Sequence, residues 1–328
     1  METIVKRVLW STLALTAAGL ACQTAAAQAA ASAKPVMLVV PYAPGGAADP
    51  ILRPMAARLQ ELWGRPVLID NRPGANGAIG TQYVINAPGD GNTILFHITG
   101  LIQNLALAKT KPSYDPFQDL QPVALIGRQA VALVTPSASA YKTFVELANA
   151  VKATPTSFSY GSYGIGSTSH IYGEVLRASL NVDVPHIPFK GTAPLLQEMM
   201  GNRIPMAFVS SQTAIDRERD KSLRVVAVTG SQRMERLPEV PTLAELGYKG
   251  FEATGWWALF VNSATPRPLA QRMSADIRKV LNEPEMIKRL QDGGTEPSSE
   301  TPEQFKNNMK TEYLYWESVV RKFNITNE

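Results

Sequence analysis

The chain has 328 residues, of which 45% are hydrophobic, and carries 32 Lys and Arg against 28 Asp and Glu. This is an ordinary globular composition with enough apolar residues for two domains of typical size. The net charge of +4 comes from basic residues that are scattered along the chain, whereas a nucleic-acid interface needs them clustered. We therefore expect no nucleic-acid partner.

The first 29 residues have the pattern of a secretory signal peptide. Lys6 and Arg7 supply a basic start, residues 8–20 an apolar core, and residues 24–31 small side chains suited to cleavage. The apolar core is shorter than a bilayer-spanning helix requires. We expect residues 1–29 to be removed on export and the mature protein to be soluble in the periplasm.

Cys22, the only cysteine, falls inside this segment. The exported protein is therefore expected to have no disulfide and no cysteine-bound metal. Attachment of a lipid at Cys22 is the alternative to simple cleavage, although Gly19 stands where such sites usually have Leu.

A glycine loop between a strand and a helix organises the start of the mature chain. Residues 37–40 are apolar and predict a buried strand, which Pro41 and the following glycines end. Asp49 and Pro50 are typical of a helix start, and we predict that the Asp49 side chain caps the helix. A helix N-terminus that opens onto a glycine loop favours an anion.

The same pattern recurs twice. A strand at 66–70 leads through a turn-rich loop to a helix at 78–87, which Asn76 is predicted to cap. A third loop, at residues 161–169, follows a strand and precedes a helix with hydroxyl caps. This alternation predicts an α/β fold with mostly parallel sheets and helices on both faces. Ligands in such folds sit at the carboxyl ends of the strands.

Two long extended runs divide the chain. The runs at residues 123–135 and 255–261 are interpreted as crossings between two lobes. We predict that residues 30–128 and 254–328 form lobe 1 and residues 129–253 form lobe 2. A chain that crosses out and back in this way encloses a cleft.

The sequence holds little that predicts catalysis. Residues 164–169 resemble a dinucleotide-binding motif, but Ser169 replaces its third glycine and no acidic residue ends the following strand. The three histidines, at 97, 170 and 186, lie in no metal-binding motif. We therefore predict no enzyme activity, no catalytic residue, no metal and no cofactor. A secreted enzyme that uses the glycine-rich loop at 161–169 is the less favoured alternative.

The glycine loops predict how a ligand is held. Residues 41–49, 73–80 and 161–169 contain no Lys or Arg. A ligand carboxylate would therefore be bound by backbone amides and hydroxyls, assisted by helix dipoles. This pattern favours a binding protein for a small organic carboxylate.

Six stretches between Val39 and Pro266 stand in an order typical of one family. They read VVPYAPGGAAD, DNRPGANGAIG, YGSYGIGSTSHIYGE, VPHIPFKGTAP, LRVVAVTGSQRMERLPEVPTLAELG and GWWALFVNSATP. With them the chain resembles the substrate-binding proteins of tripartite tricarboxylate transporters, also called the Bordetella uptake gene family. The resemblance implies a two-lobed periplasmic binding protein of type II topology, and we expect the protein to be a monomer. Such a protein closes on a small carboxylate and delivers it to two integral-membrane subunits; a ligand-presenting partner of a sensor kinase is the alternative.

The resemblance also implies ligand-binding positions. They are Tyr42, Gly45, Gly46, Ala47 and Asp49 in the first loop, Asn76, Gly77 and Ala78 in the second, then Thr99, Asn104, Ser162, Ser167, Thr168, His170, Phe189, Lys190, Gly191 and Ser210. The chain departs from the family where Pro205 and Val209 replace two acidic residues, with Ser210 as the nearest polar substitute. Because a buried carboxylate is the natural partner of an ammonium group, we expect a preference for acids without an amino group.

Overall fold

The computed structural model describes residues 34–108 and 113–326, which form eleven strands and eleven α-helices. The strands are β1 (Val36–Val40), β2 (Val67–Asn71), β3 (Thr93–Ile98), β4 (Leu120–Gln129), β5 (Val131–Pro136), β6 (Tyr160–Ser162), β7 (His186–Pro188), β8 (Met206–Ser210), β9 (Leu223–Val228), β10 (Gly255–Asn262) and β11 (Thr295–Pro297). The helices are α1 (Asp49–Trp63), α2 (Ala78–Ile85), α3 (Gly100–Leu107), α4 (Pro116–Asp119), α5 (Phe144–Ala153), α6 (Thr168–Leu180), α7 (Thr192–Met200), α8 (Ser211–Arg219), α9 (Arg267–Leu281), α10 (Pro284–Asp292) and α11 (Pro302–Lys322). None of these helices has the length and apolar character needed to cross a membrane.

The strands form two mixed sheets. In the first sheet, ordered β11-β4-β10-β3-β1-β2, β1 is parallel to β2 and β3, and β10 is antiparallel to β3 and β4. In the second, ordered β7-β6-β8-β5-β9, β6 is parallel to β7 and β8, and β5 is antiparallel to β8 and β9. The two-lobed α/β fold is as predicted, but the sheets are not mostly parallel. β5 and β10 are the first strands after each crossing, so they run away from the cleft while the strands before helices run toward it.

The chain changes sheets twice. Only Ala130 separates β4 of the first sheet from β5 of the second, and the return to the first sheet lies between Val228 and Gly255. We call the first sheet with its helices the first lobe and the second sheet with its helices the second lobe. The domain boundaries at 128/129 and 253/254 stay a prediction, and the predicted signal peptide lies outside the described residues.

The predicted helix caps are wrong in the first two glycine loops. Ala48 is the cap residue of α1, and Asp49 is already helical; its carboxylate instead accepts from the Gly45 amide at 2.8 Å. Asn76 lies in a 3-10 turn, and Gly77 precedes α2 without any side-chain cap. Both polar side chains fix the shape of a loop rather than the end of a helix.

Two other predicted caps are confirmed. The Ser167 hydroxyl accepts from the His170 amide at 3.3 Å and so caps α6. At the start of α11, the pattern of Thr301 followed by Pro and, three residues on, Gln304 predicts a capping box, and both of its hydrogen bonds are present. These caps involve only neighbours within four residues, which a local sequence pattern can specify.

A single apolar cluster extends through both lobes by way of the C-terminal helix. Phe305 of α11 packs edge-on against Trp256 of β10, with ring centroids 5.1 Å apart. Farther along the same helix, Trp316 packs edge-on against Tyr172 of α6 at 5.5 Å. All four aromatic side chains are fully buried. The helix α11 therefore joins the two lobes, in addition to the two crossings of the chain.

Candidate functional site

A cavity of about 1270 Å³ lies between the lobes. The loops after β1, β2 and β3 form one wall, and those after β6 and β7, with the end of β8, form the other. Gln129 and the start of β10, where the chain crosses, complete the lining. The cavity is large enough for a small organic ligand.

Most of the predicted ligand positions line this cavity. They are Tyr42, Gly45, Gly46, Ala47, Asp49, Asn76, Gly77, Ala78, Thr99, Asn104, Thr168, Phe189, Lys190, Gly191 and Ser210. The chain thus brings together residues that are up to 168 positions apart, from Tyr42 to Ser210. That these residues contact a ligand stays a prediction.

Ser162, Ser167 and His170 do not line the cavity and are almost fully buried. The Ser162 hydroxyl lies 2.7 Å from His186 Nε2, and the Ser167 hydroxyl caps α6. The Nδ1 atom of His170 accepts from the Gly166 amide at 3.2 Å. All three side chains support the third glycine loop from behind, so we assign them to loop geometry.

Several aromatic residues that were not among the predicted ligand positions also line the cavity. Tyr163, Trp256 and Trp257 lie inside stretches that carry the family resemblance, so their position beside a glycine loop or a crossing was the available signal. Tyr114 has no local signal at all, because only the packing of the segment before α4 brings it to the cleft.

The first glycine loop presents free backbone donors. The amides of Ala47 and Ala48 have no acceptor among the described residues. Asp49 stabilises the loop through the Gly45 amide and also pairs with Arg53 at 3.1 Å. Because Ala47 and Ala48 line the cavity at the N-terminus of α1, these amides are available to an anion.

The second loop has an unusual backbone. Residues 74–77 all have positive φ angles, including 46° at Ala75 and 47° at Asn76. Non-glycine residues in this region typically cost about 1–3 kcal/mol each and cluster at functional sites. The side-chain amide of Asn76 donates to Asn104 Oδ1 at 2.8 Å, and Asn104 donates back to the Asn76 carbonyl at 3.0 Å. This exchange holds the strained loop against α3.

The two walls meet directly at one end of the cavity. The Thr168 hydroxyl donates to Gln103 Oε1 at 2.7 Å in a buried hydrogen bond between α6 and α3. A Cβ added to Gly166 would lie 2.9 Å from Asn104 Oδ1, so this glycine allows the close approach of the two lobes. The third loop is therefore seated on the first lobe.

His97 lies beneath the second loop. It is fully buried, and burial lowers its pKa to about 4. Its Nδ1 lies 2.9 Å from both the amide nitrogen and the carbonyl oxygen of Ile98, and its Nε2 has no hydrogen-bond partner among the described residues. The Tyr42 hydroxyl lies 3.4 Å from Nδ1, and burial raises the pKa of this tyrosine. The floor under the loop is thus neutral at physiological pH.

His97 should make stability depend on pH. Its pKa is about 4 in the folded protein and 6.5 in an unfolded chain, so the unfolded state binds the extra proton between these values. The stabilisation is complete above pH 6.5 and is lost as the pH falls toward 4, with about 2 kcal/mol gone at pH 5. Denaturant titrations at pH 7.5 and 5 should therefore show a smaller loss for His97→Gln than for the wild type; an equal loss would contradict this role.

The structure corrects the position of Val209. The expected preference for acids without an amino group requires residue 209 to face the ligand, but Val209 is fully buried, pairs with Ala132 in the second sheet and does not line the cavity. The next residue, Ser210, lines the cavity and caps α8 by accepting from the Thr213 amide at 3.3 Å. Val209 therefore gives no support to a preference against amino acids.

Mixed sheets in two lobes, with glycine loops on both sides of a cleft, define a periplasmic binding protein fold. The structure is similar to the periplasmic binding protein BugD (29% identity, TM-score 0.84, covering 89% of this chain and 98% of that chain). It is also similar to Rhodopseudomonas palustris Rpa4515 with adipate (28%, 0.85, 90% and 99%) and to MatC from the same organism with bound malate (29%, 0.82, 88% and 99%). The model of the tripartite tricarboxylate transporter family receptor matches residues 51–325. The chain belongs to this family.

Proposed function

We propose that the protein captures a small organic carboxylate in the periplasm and delivers it to a tripartite tricarboxylate-type transporter with two integral-membrane subunits. The observation that carries this proposal is a pair of glycine loops that border one cavity with free backbone amides. The amides of Ala47 and Ala48 in the first loop, and those of Ala75 and Asn76 in the second, have no acceptor among the described residues. Family membership and the adipate and malate named for two structural neighbours support it.

In this proposal one ligand carboxylate binds at the first lobe, between the first two glycine loops. Two helix N-termini act on the same group, each by about 0.3–1 kcal/mol. Lys190 is the single cation among the described residues that line the cavity, and it lies on the opposite wall. A second polar end of the ligand would face Lys190 and the N-terminus of α7. The lobes would then close on the ligand, and the protein would act as a monomer without turning its ligand over.

A calorimetric screen of purified protein against mono-, di- and tricarboxylates tests the function. At least one acid should bind with saturable heat, and at 100 times its dissociation constant it should stabilise the protein by about 2.7 kcal/mol. Product analysis after prolonged incubation should recover the acid unchanged. Formation of a product would favour the secreted-enzyme alternative, and no binding by any acid would contradict the proposal.

A further inference from the structure

The charged side chains of the cavity wall are few. Among the described lining residues only Asp49 and Lys190 are charged, and Asp49 is already occupied by Arg53 and the Gly45 amide. Tyr163, which also lines the cavity, has a neutral hydroxyl, and burial raises its pKa further, to about 12. Apart from the backbone amides of the first two glycine loops, recognition of a ligand must therefore depend mainly on uncharged surface.

One apolar wall of the cavity begins directly beside the second glycine loop. Leu101, Asn104 and Leu105 line the cavity and share one face of α3, since they are three and four residues apart. Asn104 is hydrogen-bonded to Asn76. Leu101 and Leu105 lie within about one helical turn of Asn104. A ligand whose carboxylate binds the Ala75–Asn76 amides would therefore have its carbon chain close to these two leucine side chains.

A second apolar wall faces it from the other lobe. Ile165 and Phe189 line the same cavity, and Ile165 is 44% exposed, which is unusual for a large aliphatic residue. A Cβ added to the neighbouring Gly166 would lie only 2.9 Å from Asn104 Oδ1, so Ile165 is brought close to α3. The Phe189 amide donates to the Ser162 carbonyl at 2.9 Å, which fixes this segment beside the third loop.

We propose that this apolar compartment, defined by Leu101, Leu105, Tyr163, Ile165 and Phe189, holds the hydrocarbon body of the ligand. The preferred ligands are then acids with an extended apolar body, such as longer straight-chain dicarboxylates or aromatic acids, over compact hydroxy acids. Burial of apolar surface is the driving force, and each methylene that enters the compartment raises the affinity about fourfold, equal to about 0.8 kcal/mol. This inference rests on the carboxylate-binding function proposed above.

Isothermal calorimetry with succinate, adipate, suberate, benzoate, malate and citrate tests the proposal. We expect adipate or suberate to bind at least tenfold more tightly than succinate. Malate and citrate should bind more weakly than adipate and suberate. Tighter binding of malate or citrate, or equal affinity for succinate, adipate and suberate, would overturn the apolar compartment but leave the carboxylate function intact. If none of the six acids binds, both proposals fail.

Two variants locate the effect. Leu105→Asn should lower the affinity for adipate about tenfold, equal to about 1.4 kcal/mol, and that for succinate less than twofold. Ile165→Asn should act in the same direction, and because the Ile165 side chain is 44% exposed, this substitution leaves the apolar core intact. Leu62→Asn is the matched control, since Leu62 is 40% exposed and lies outside the cavity. Unchanged adipate affinity in both cavity variants would overturn the proposal.

Discussion

A Gly77→Ala variant should lose stability and ligand affinity together. Gly77 has a φ of 92°, and an added Cβ would lie 2.5 Å from His97 Nε2 and 3.3 Å from the Tyr42 hydroxyl. An L-residue with left-handed backbone costs about 1–2 kcal/mol. Displacing a fully buried side chain adds about 1–3 kcal/mol of overpacking. The sum, about 2–5 kcal/mol, should be visible as a lower midpoint of urea unfolding.

The ligand affinity of Gly77→Ala should fall because relief of the clash with His97 moves the second glycine loop away from the cavity. Gly247→Ala is the matched control: Gly247 also has a positive φ, of 85°, but no atom of the described part of the chain lies within 4 Å of an added Cβ. The control should show the backbone cost alone and keep its affinity for whichever acid the calorimetric screen identifies. If both variants bind that acid equally well, the close approach of Gly77 to His97 has no functional role.

Trp316→Ala should give the largest loss of stability. The indole is fully buried where α11 meets the second lobe, and truncation of such a side chain typically costs about 3–5 kcal/mol. Leu314→Ala on the same helix is the control, because Leu314 is 61% exposed and should change stability by less than about 0.5 kcal/mol. Unfolding followed by circular dichroism measures both.

A Trp316→Ala variant as stable as the Leu314→Ala control would show that α11 does not tie the lobes together. If the helix does tie them, the variant should also make the second lobe more accessible to proteolysis at a denaturant concentration where the wild type resists. Ligand binding, measured well below the unfolding midpoint, should be less affected than stability, since Trp316 does not line the cavity.

The repeated strand, loop and helix units could be predicted from the sequence because their signals are local. The Ser167 cap and the box at Thr301 involve neighbours within four residues. The failed caps show the limit: Asn76 bonds to Asn104, 28 positions away, and no local pattern reveals that a tertiary partner competes for the side chain. The prediction of mostly parallel sheets was wrong for a related reason. The antiparallel direction of β10 depends on where the chain re-enters the first sheet, which no local pattern reveals.

The sequence predicted which loops contribute to the candidate site. It did not predict all of the side chains that line the cavity between them. Glycine patterns and the family resemblance placed the backbone donors on the correct segments. The roles of individual side chains required the fold, because the face of β8 on which Val209 lies and the packing that brings Tyr114 to the cleft are set by contacts distant in sequence.

The position of β10 also determines the order in which the chain can fold. This strand fills the place between β3 and β4, and Phe260 pairs with both Leu95 and Pro122. Until residues 255–262 are available, β3 and β4 lack the neighbour that they share, and their open edges can pair with other chains. Such long-range pairing is slow because the intervening loop must close first. The gap between β3 and β4 can therefore be filled only after almost four-fifths of the polypeptide has emerged, and a nascent chain released earlier would expose an unfinished sheet.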